Sequence, residues 1–491
     1  MNYYELTVFI LYFVIVIGIG LYFFFKNNKG GEKDYFLGGR AISGLVAALS
    51  AGASDMSSWV LMGLPASIFA MGMGQVWIAI GLALGTILSW IFVAPRLRKF
   101  SITCGDSITI PQYLTNRFLS SSKVLQVVCA IIFLIVYAIY SASSIKACGT
   151  LFNTVMGVDA NIAMFIAAAI IILYTFLGGF SAVCWTDFFQ GLLMLLALMI
   201  TPIIAVFFLK NHPEQIVNID VENFWNFLPS GKFDWTSVSS ILTGLGWGIG
   251  YFGMPHIIIR YMSIKSPKEL KKSRIIGSIW TTLILLFAVF IALVGAKMFT
   301  QTELGDDSLI FINMVRHLFP PIISGVLLSA ILAASMSTAD SQLLASASAF
   351  TSDVYKPLFR KKASDKEMLW VGRGVVMAIS VAALLIAINP KSGSIMDLVG
   401  NAWGLFGAAF SPAIILSLFW KKFSFKGAVA SIITGGVVDA LWLAFLAGKT
   451  GLYEIVPGFI CGLIVGVVVS LITKPDEKVE KLFDKSLKCN K

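Results

Sequence analysis

The chain alternates long apolar runs with short polar stretches, and thirteen such runs can be marked. They cover residues 5–25, 42–70, 74–94, 124–148, 160–179, 186–209, 237–259, 275–298, 321–349, 370–389, 395–419, 427–447 and 455–473, here called segments 1 to 13. Each approaches or exceeds the roughly 20 residues that cross a bilayer as a helix. Lipid offers a backbone no hydrogen-bond partner, so runs this long predict helices, whereas a membrane β-barrel would need short alternating strands. The expected fold class is an all-α polytopic membrane protein with about 13 transmembrane helices. Segment 1 lacks a basic leader and is long enough to span, so it reads as a retained helix rather than a cleaved signal.

Composition narrows the classes. Of 491 residues, 57% are hydrophobic and 13% charged, against about 45–50% and about 25% in soluble proteins. That excludes a soluble enzyme, a disordered chain and a secreted disulfide scaffold. The six Cys (104, 129, 148, 184, 461, 489) show no paired spacing, and the three His (212, 256, 317) are scattered, so no disulfide framework, zinc site or haem site is indicated.

The net charge of +11 is an orientation signal. Stretches 26–41, 95–123, 260–274, 350–373 and 420–426 and the tail 474–491 hold 30 of the 37 Lys and Arg. These are alternate loops, so the positive-inside rule predicts an outside N-terminus and a cytoplasmic C-terminus. The basic clusters are short and lack aromatic platforms, which argues against nucleic acid. The tail reads as a solvated cytoplasmic end that can touch anionic lipid.

Two segments are imperfect helices. Segment 2 contains Ala53-Ser-Asp-Met-Ser-Ser-Trp59, a carboxylate and several hydroxyls in mid-span. Segment 7 contains Gly244-Leu-Gly-Trp-Gly-Ile-Gly-Tyr-Phe-Gly-Met-Pro255, five Gly and a Pro in twelve residues. Such a run disfavours a continuous helix, although small residues also serve close helix packing. With segment 1 set aside, segments 2–11 divide into two sets of five, each opening on an interrupted segment. Five helices per set invert the second copy, and matched interruptions in inverted halves point to a transporter site. The expected boundaries are 5–25 for an extra N-terminal helix, 42–209 and 237–419 for the repeats, and 427–473 for extra C-terminal helices. All belong to one membrane transport domain.

Carboxylates within spans are costly and usually functional or paired. Asp55, Asp187 and Asp340 are the candidates. Asp187 opens segment 6, where an N-terminal cap is the competing reading. Ser337, Asp340 and Ser341 share a helix face by their spacing and suit a hard cation seeking oxygen ligands. Asp397 and Asp439 read as structural, and Lys146 as snorkelling or paired with a carboxylate.

With these residues identified, the chain resembles the sodium/solute symporter family, most closely its sodium/proline branch. The words that carry the resemblance are Phe36-Leu-Gly-Gly-Arg40, Ala53-Ser-Asp-Met-Ser-Ser-Trp59, Gly246-Trp-Gly-Ile-Gly-Tyr-Phe-Gly253 and Ala333-Ala-Ser-Met-Ser-Thr338. It implies a five-plus-five inverted-repeat (LeuT-like) core with extra helices at both ends, in a bacterial plasma membrane. It also implies a sodium site of the Ala53, Met56 and Ala334 carbonyls with the Ser337 and Thr338 hydroxyls. Asp55 and Ser57 would serve sodium coupling, and Arg40 a transport-critical place on the cytoplasmic side. The resemblance further implies a proline pocket lined by Tyr140, Trp247, Tyr251 and Pro255. Met254 departs from the Gln usual before that proline, and Asp340 from a usually neutral residue. Some family members hold a second sodium, for which Asp187, Ser337, Asp340 and Ser341 are the candidates here.

The expected function is sodium-coupled import of L-proline by alternating access. Na+ is the co-transported ion, without an organic cofactor. The expected partners are the solute, sodium and membrane lipid, with no obligatory protein partner. Import of another small carboxylated solute with sodium or proton coupling is the alternative. A receptor or sensor ranks lower because eighteen residues after the last segment leave no room for an output domain. An enzyme is not expected, for want of a cofactor motif, a His-containing triad or a metal cluster.

Overall fold

The computed structural model describes residues 3–26, 32–177 and 179–489; Lys29 and Lys491, counted above among the basic stretches, lie outside them. The described residues form helices and turns without a strand, apart from an isolated bridge between Ile42 and Ile264. Among the described residues, ten helices are long and apolar enough to cross a membrane, and the bent pair Gly44–Asp55 and Ser58–Met71 makes an eleventh. The two other predicted segments are also helical but shorter. Segment 5 contributes the apolar helix Ala160–Leu173, and segment 7 is split into Trp235–Trp247 and Pro255–Ser263.

Burial separates centre from rim. In segments 9 and 11, 83% of the apolar window is buried inside the protein, against 22% in segment 1 and 28% in segments 10 and 13. Segment 9 (Pro321–Phe350) can occupy the centre because its Ala and Ser residues let neighbouring backbones approach. The rim helices instead direct large apolar side chains outward, as Leu385, Ile464 and Ile472 do.

Four details differ from expectation for identifiable reasons. Segment 3 does not end at residue 94; it continues through a π turn, Ser89–Val93, into Ala94–Thr103. The widened turn precedes Pro95, which could not donate the ordinary i→i−4 bond. Segment 6 starts at Phe180, so Asp187 lies two turns inside the helix and is no cap. Lys146 donates to the Gly393 carbonyl rather than to a carboxylate. The tail is not simply solvated: Glu477–Lys488 is an amphipathic helix that buries Val479 and Phe483. The Phe483 ring stands 5.2 Å from Phe100, under the Arg117 guanidinium at 4.8 Å.

Segments 3 and 7 touch backbone to backbone. A Cβ on Gly248 would lie 2.3 Å from the Gly81 carbonyl oxygen, and one on Gly81 would lie 2.1 Å from the Gly244 carbonyl oxygen. Gly248→Ala is therefore expected to cost about 1–3 kcal/mol through forced backbone displacement, read as a lower melting temperature. Gly374→Ala, with nothing within 4 Å of its would-be Cβ, should leave melting unchanged.

Candidate functional site

The site forms where the two interrupted segments meet segment 9. The first helix of segment 2 ends at Asp55, and its axis bends by 72° before Ser58. Met56 caps it with ψ at 72°, outside the helical range. The hydrogen-bond ladder breaks there. The Ser57 amide turns to the Asp55 carbonyl at 2.8 Å rather than to Ala53, and the Val60 amide donates to Ser57 rather than to Met56. The Ala53 carbonyl is thereby released from its helix. It accepts from Ser337 Oγ at 2.8 Å and Thr338 Oγ1 at 3.4 Å, both across on segment 9. Ser337 also donates to the Ala334 carbonyl at 3.2 Å. Four of the five expected sodium-site residues are thus brought together by direct bonds, and the fifth, Met56, sits at the same break. All are buried. Small, neutral oxygen donors grouped this way match a hard monovalent cation better than a soft or redox metal.

Asp55 lies beside this group. Its Oδ2 accepts from the Tyr251 phenol on segment 7, while Oδ1 has no hydrogen-bond partner. The Asp55 carbonyl accepts from Trp59 Nε1 at 3.2 Å and from Tyr140 Oη at 3.5 Å. Ser57 uses its hydroxyl to cap the next turn, accepting from the Trp59 amide at 3.4 Å.

Segment 7 unwinds between Gly248 and Met254. Its freed carbonyls are satisfied by side chains of neighbouring segments. Trp403 Nε1 donates to Trp247 O, Ser411 Oγ to Ile249 O and Ser89 Oγ to Tyr251 O, at 2.7, 2.7 and 2.9 Å. Gly250 is required by the first of these, since a Cβ there would stand 2.2 Å from the Trp403 indole nitrogen. Trp247 becomes the centre of an aromatic group. Trp59 lies 6.3 Å away, and Trp403 and Tyr453 are stacked on it at 6.4 and 5.1 Å. Tyr251 meets Trp403 edge-on at 5.2 Å. Pro255 opens the second half-helix, where its missing N–H costs nothing, and Met254 is the fully buried residue before it.

A second cluster lies one turn farther along segment 9. Asp187 accepts from Ser50 Oγ at 2.7 Å and from Arg260 Nη2 at 3.0 Å. The same guanidinium donates to Ser341 Oγ, to Ser50 Oγ and to the His256 carbonyl. Ser341 in turn donates to Asp340 at 3.3 Å. The candidates for a second cation site are therefore neighbours, except Ser337, which belongs to the first cluster. The cation that engages Asp187 and Ser341 here is Arg260, 1% exposed.

Arg40 forms a separate latch. Gly38, Gly39 and Arg40 have φ of 61°, 61° and 56°, a left-handed run that turns the arginine inward. Its guanidinium reaches Asp106, Ser101 Oγ, the Met262 carbonyl and the Ser107 carbonyl, at 2.9, 3.1, 2.6 and 2.7 Å. It ties the ends of segments 3 and 7 together. Partial burial raises the Asp106 pKa, but Lys33 and Arg40 outweigh this and hold the carboxyl below its usual range. The ion pair's contribution is present above the ordinary carboxylate pKa and is lost only as pH falls through the depressed one. Arg40→Lys keeps the charge but loses the fork. It is expected to slow transport more than Asp106→Asn, which leaves three of the four partners, in vesicles of matched protein content.

Sequence reasoning missed His256, Arg260, Trp403 and Tyr453. Arg260 stands at the edge of an apolar run and so groups with a basic loop in the sequence. His256 is isolated from the other histidines in sequence, yet it is fully buried and hydrogen-bonded to Tyr137. The i, i+4 spacing of His256 and Arg260 after Pro255 was the available signal.

Comparison with known proteins places the chain in a family and a fold. A family model described as "Sodium:solute symporter family" matches residues 35–435. The chain is 44% identical over 477 residues to an osmoregulated proline transporter of Bacillus subtilis (strain 168), covering 96% of both chains. It is 41% identical over 478 residues to sodium/proline symporter 2 of Staphylococcus saprophyticus, covering 95% of this chain and 92% of the relative. Among solved structures, a Na+-coupled sialic acid symporter in a substrate-bound outward-open state superposes with a TM-score of 0.78 at 23% identity. That match covers 96% of this chain and 98% of the other.

Proposed function

Because the chain belongs to the sodium:solute symporter family, we propose that it imports L-proline, driven by sodium, through alternating access. The observation that carries this reading is the Tyr251–Asp55 hydrogen bond. It joins the released oxygens of segment 2 to the aromatic group of segment 7, so an ion at one is felt at the other. Ala53, Met56, Ala334, Ser337 and Thr338 would hold sodium, with Asp55 supplying negative charge and Ser57 fixing the turn. Trp247, Tyr251 and Tyr140 would face the solute, with Pro255 and Met254 at the half-helix N-terminus. Proline brings an apolar ring and a secondary ammonium, both suited to aromatic faces, and a carboxylate suited to a helix N-terminus.

The matched breaks in segments 2 and 7 support two inverted repeats, 42–209 and 237–419, flanked by segments 1, 12 and 13. The charge pattern supports an outside N-terminus and a cytoplasmic Arg40 latch. Bound sodium would favour the outward-facing state and complete the solute pocket, and each ligand must prefer the state that the other prefers. Moving one net charge inward gains roughly 2.3 kcal/mol per 100 mV, about 40-fold accumulation before the sodium gradient is counted.

The second cluster supports a single coupled sodium, because Arg260 already neutralises Asp187. The alternative of a second ion at Asp187, Asp340 and Ser341 predicts a sodium Hill slope above one that Asp340→Asn lowers. The single-ion reading predicts a slope near one, unchanged by that variant. Met254 favours a second reading of the solute, since a thioether there cannot offer the hydrogen bonds of an amide. The test of both is tryptophan fluorescence of the purified protein. Proline should change the emission in sodium but not in potassium, and Tyr251→Phe should abolish the change. A response to another small carboxylated solute with none to proline would replace the substrate.

A further inference from the structure

The segment 8 helix begins before the apolar run, at Pro267, and extends to Gly295; at its water end, beside segment 3, lies a cavity of about 280 Å³ whose lining includes Trp90, Arg98, Lys99, Leu270, Lys271 and Arg274. Four of these are cationic, and no carboxylate lines the cavity. Glu269, the nearby acid of segment 8, is held elsewhere by Lys272 at 3.1 Å and by the Gly44 amide at 2.7 Å. Arg98 spends two of its donors on the Ile264 and Lys265 carbonyls, at 2.7 and 3.0 Å. Lys99, Lys271 and Arg274 have no such anchoring role, and Lys271 is exposed. The floor is firm, because Trp90 is packed against Gly277, whose Cβ would stand 2.7 Å from the indole nitrogen.

Below the cations, the two helices that wall this groove carry exposed apolar side chains. On segment 3, Leu88 and Phe92 are 41% and 52% exposed; on segment 8, Ile275 and Ile279 are 58% and 56% exposed. Leu88 and Phe92 lie at and within the π turn just ahead of Pro95 and Lys99, and helical spacing puts Ile275 and Ile279 on the face of Lys271. A soluble anion would use the cations alone. A ligand with phosphate at one end and hydrocarbon at the other would use both. We propose that this groove between segments 3 and 8 binds one anionic phospholipid, its headgroup phosphate among Lys99, Lys271 and Arg274 and its acyl chains along the exposed apolar strip. Basic pockets between spans are known to hold anionic headgroups. Arg98 would connect the lipid to the end of segment 7, beside the Arg40 latch.

The test is native mass spectrometry of the full chain in mixed micelles containing phosphatidylglycerol or phosphatidylcholine. The wild type should retain one phosphatidylglycerol at concentrations where phosphatidylcholine adds none. Lys271→Gln with Arg274→Gln should weaken retention roughly 30-fold. Lys361→Gln with Lys362→Gln, an equal neutralisation at an exposed turn, should not. Lys271→Glu at its exposed position reports the same loss should the double variant fold poorly. Equal retention of phosphatidylcholine, or undiminished phosphatidylglycerol in Lys271→Glu, overturns the proposal. Displacement of phosphatidylglycerol by inorganic phosphate would assign the cavity to a soluble anion and overturn it as well.

Discussion

Asp55→Asn is expected to raise the sodium concentration for half-maximal uptake by about 30- to 150-fold while leaving the protein folded. A unit charge some 5–8 Å from a bound cation contributes roughly 2–3 kcal/mol at an effective dielectric constant near 20, and that energy sets the fold-change. Folding should survive because the carboxylate is engaged on one oxygen only, by Tyr251, and an amide can still accept that bond. Tyr251→Phe should act differently. It leaves the charge in place, so intrinsic sodium affinity changes little, but it severs the bond between the ion's carboxylate and the aromatic group. The dependence of proline affinity on sodium should then collapse. Measured together, initial uptake rates across a sodium series separate a lost charge from a lost connection.

The second large effect concerns stability. Arg260→Met should destabilise the protein by about 3–5 kcal/mol, because it leaves Asp187 charged, buried and without its partner. Asp187→Asn leaves the guanidinium in the same position and should cost a similar amount. The double variant, with both charges removed, should recover much of the loss, read as the melting temperature of detergent-purified protein. If single and double variants melt alike, the pair is not the charge balance of this cluster. This behaviour contrasts with the exposed pairs of the surface, such as Lys481–Glu477 at 2.7 Å, whose removal should change melting little.

How far the site was legible follows from what each residue's neighbours in sequence disclose. The breaks in segments 2 and 7 were visible because Gly, Pro and hydroxyl residues act on the backbone locally. The break at Met56 and the unwinding from Gly248 to Met254 fall where those residues cluster. Helical spacing with Asp340 and Ser341 marks Ser337 as a candidate, and the family resemblance adds Thr338, but their bonds to Ala53 span nearly three hundred residues of chain, so no local rule could give that contact. Trp403 and Tyr453 are invisible for the same reason: Trp403 sits in an ordinary apolar stretch and Tyr453 in the turn between segments 12 and 13, and each is drawn to Trp247 only by tertiary packing. Arg260 shows the limit of charge counting. A cation at the edge of an apolar run reads as a loop residue unless a buried carboxylate on another helix is known to face it. The helical extension of segment 3 and the docked tail were lost because hydropathy marks what faces lipid, whereas a helix emerging into water can remain helical on an amphipathic pattern.

Released oxygens at the segment 2 break are proposed to couple sodium to proline. The most direct measurement is labelled proline uptake into proteoliposomes containing only this protein, under imposed sodium, proton or potassium gradients. The account predicts concentrative uptake with inward sodium alone, enhanced by an inside-negative potential and lost in Ser337→Ala with Thr338→Ala. Proline uptake that is indifferent to sodium, or driven equally by a proton gradient, would contradict it.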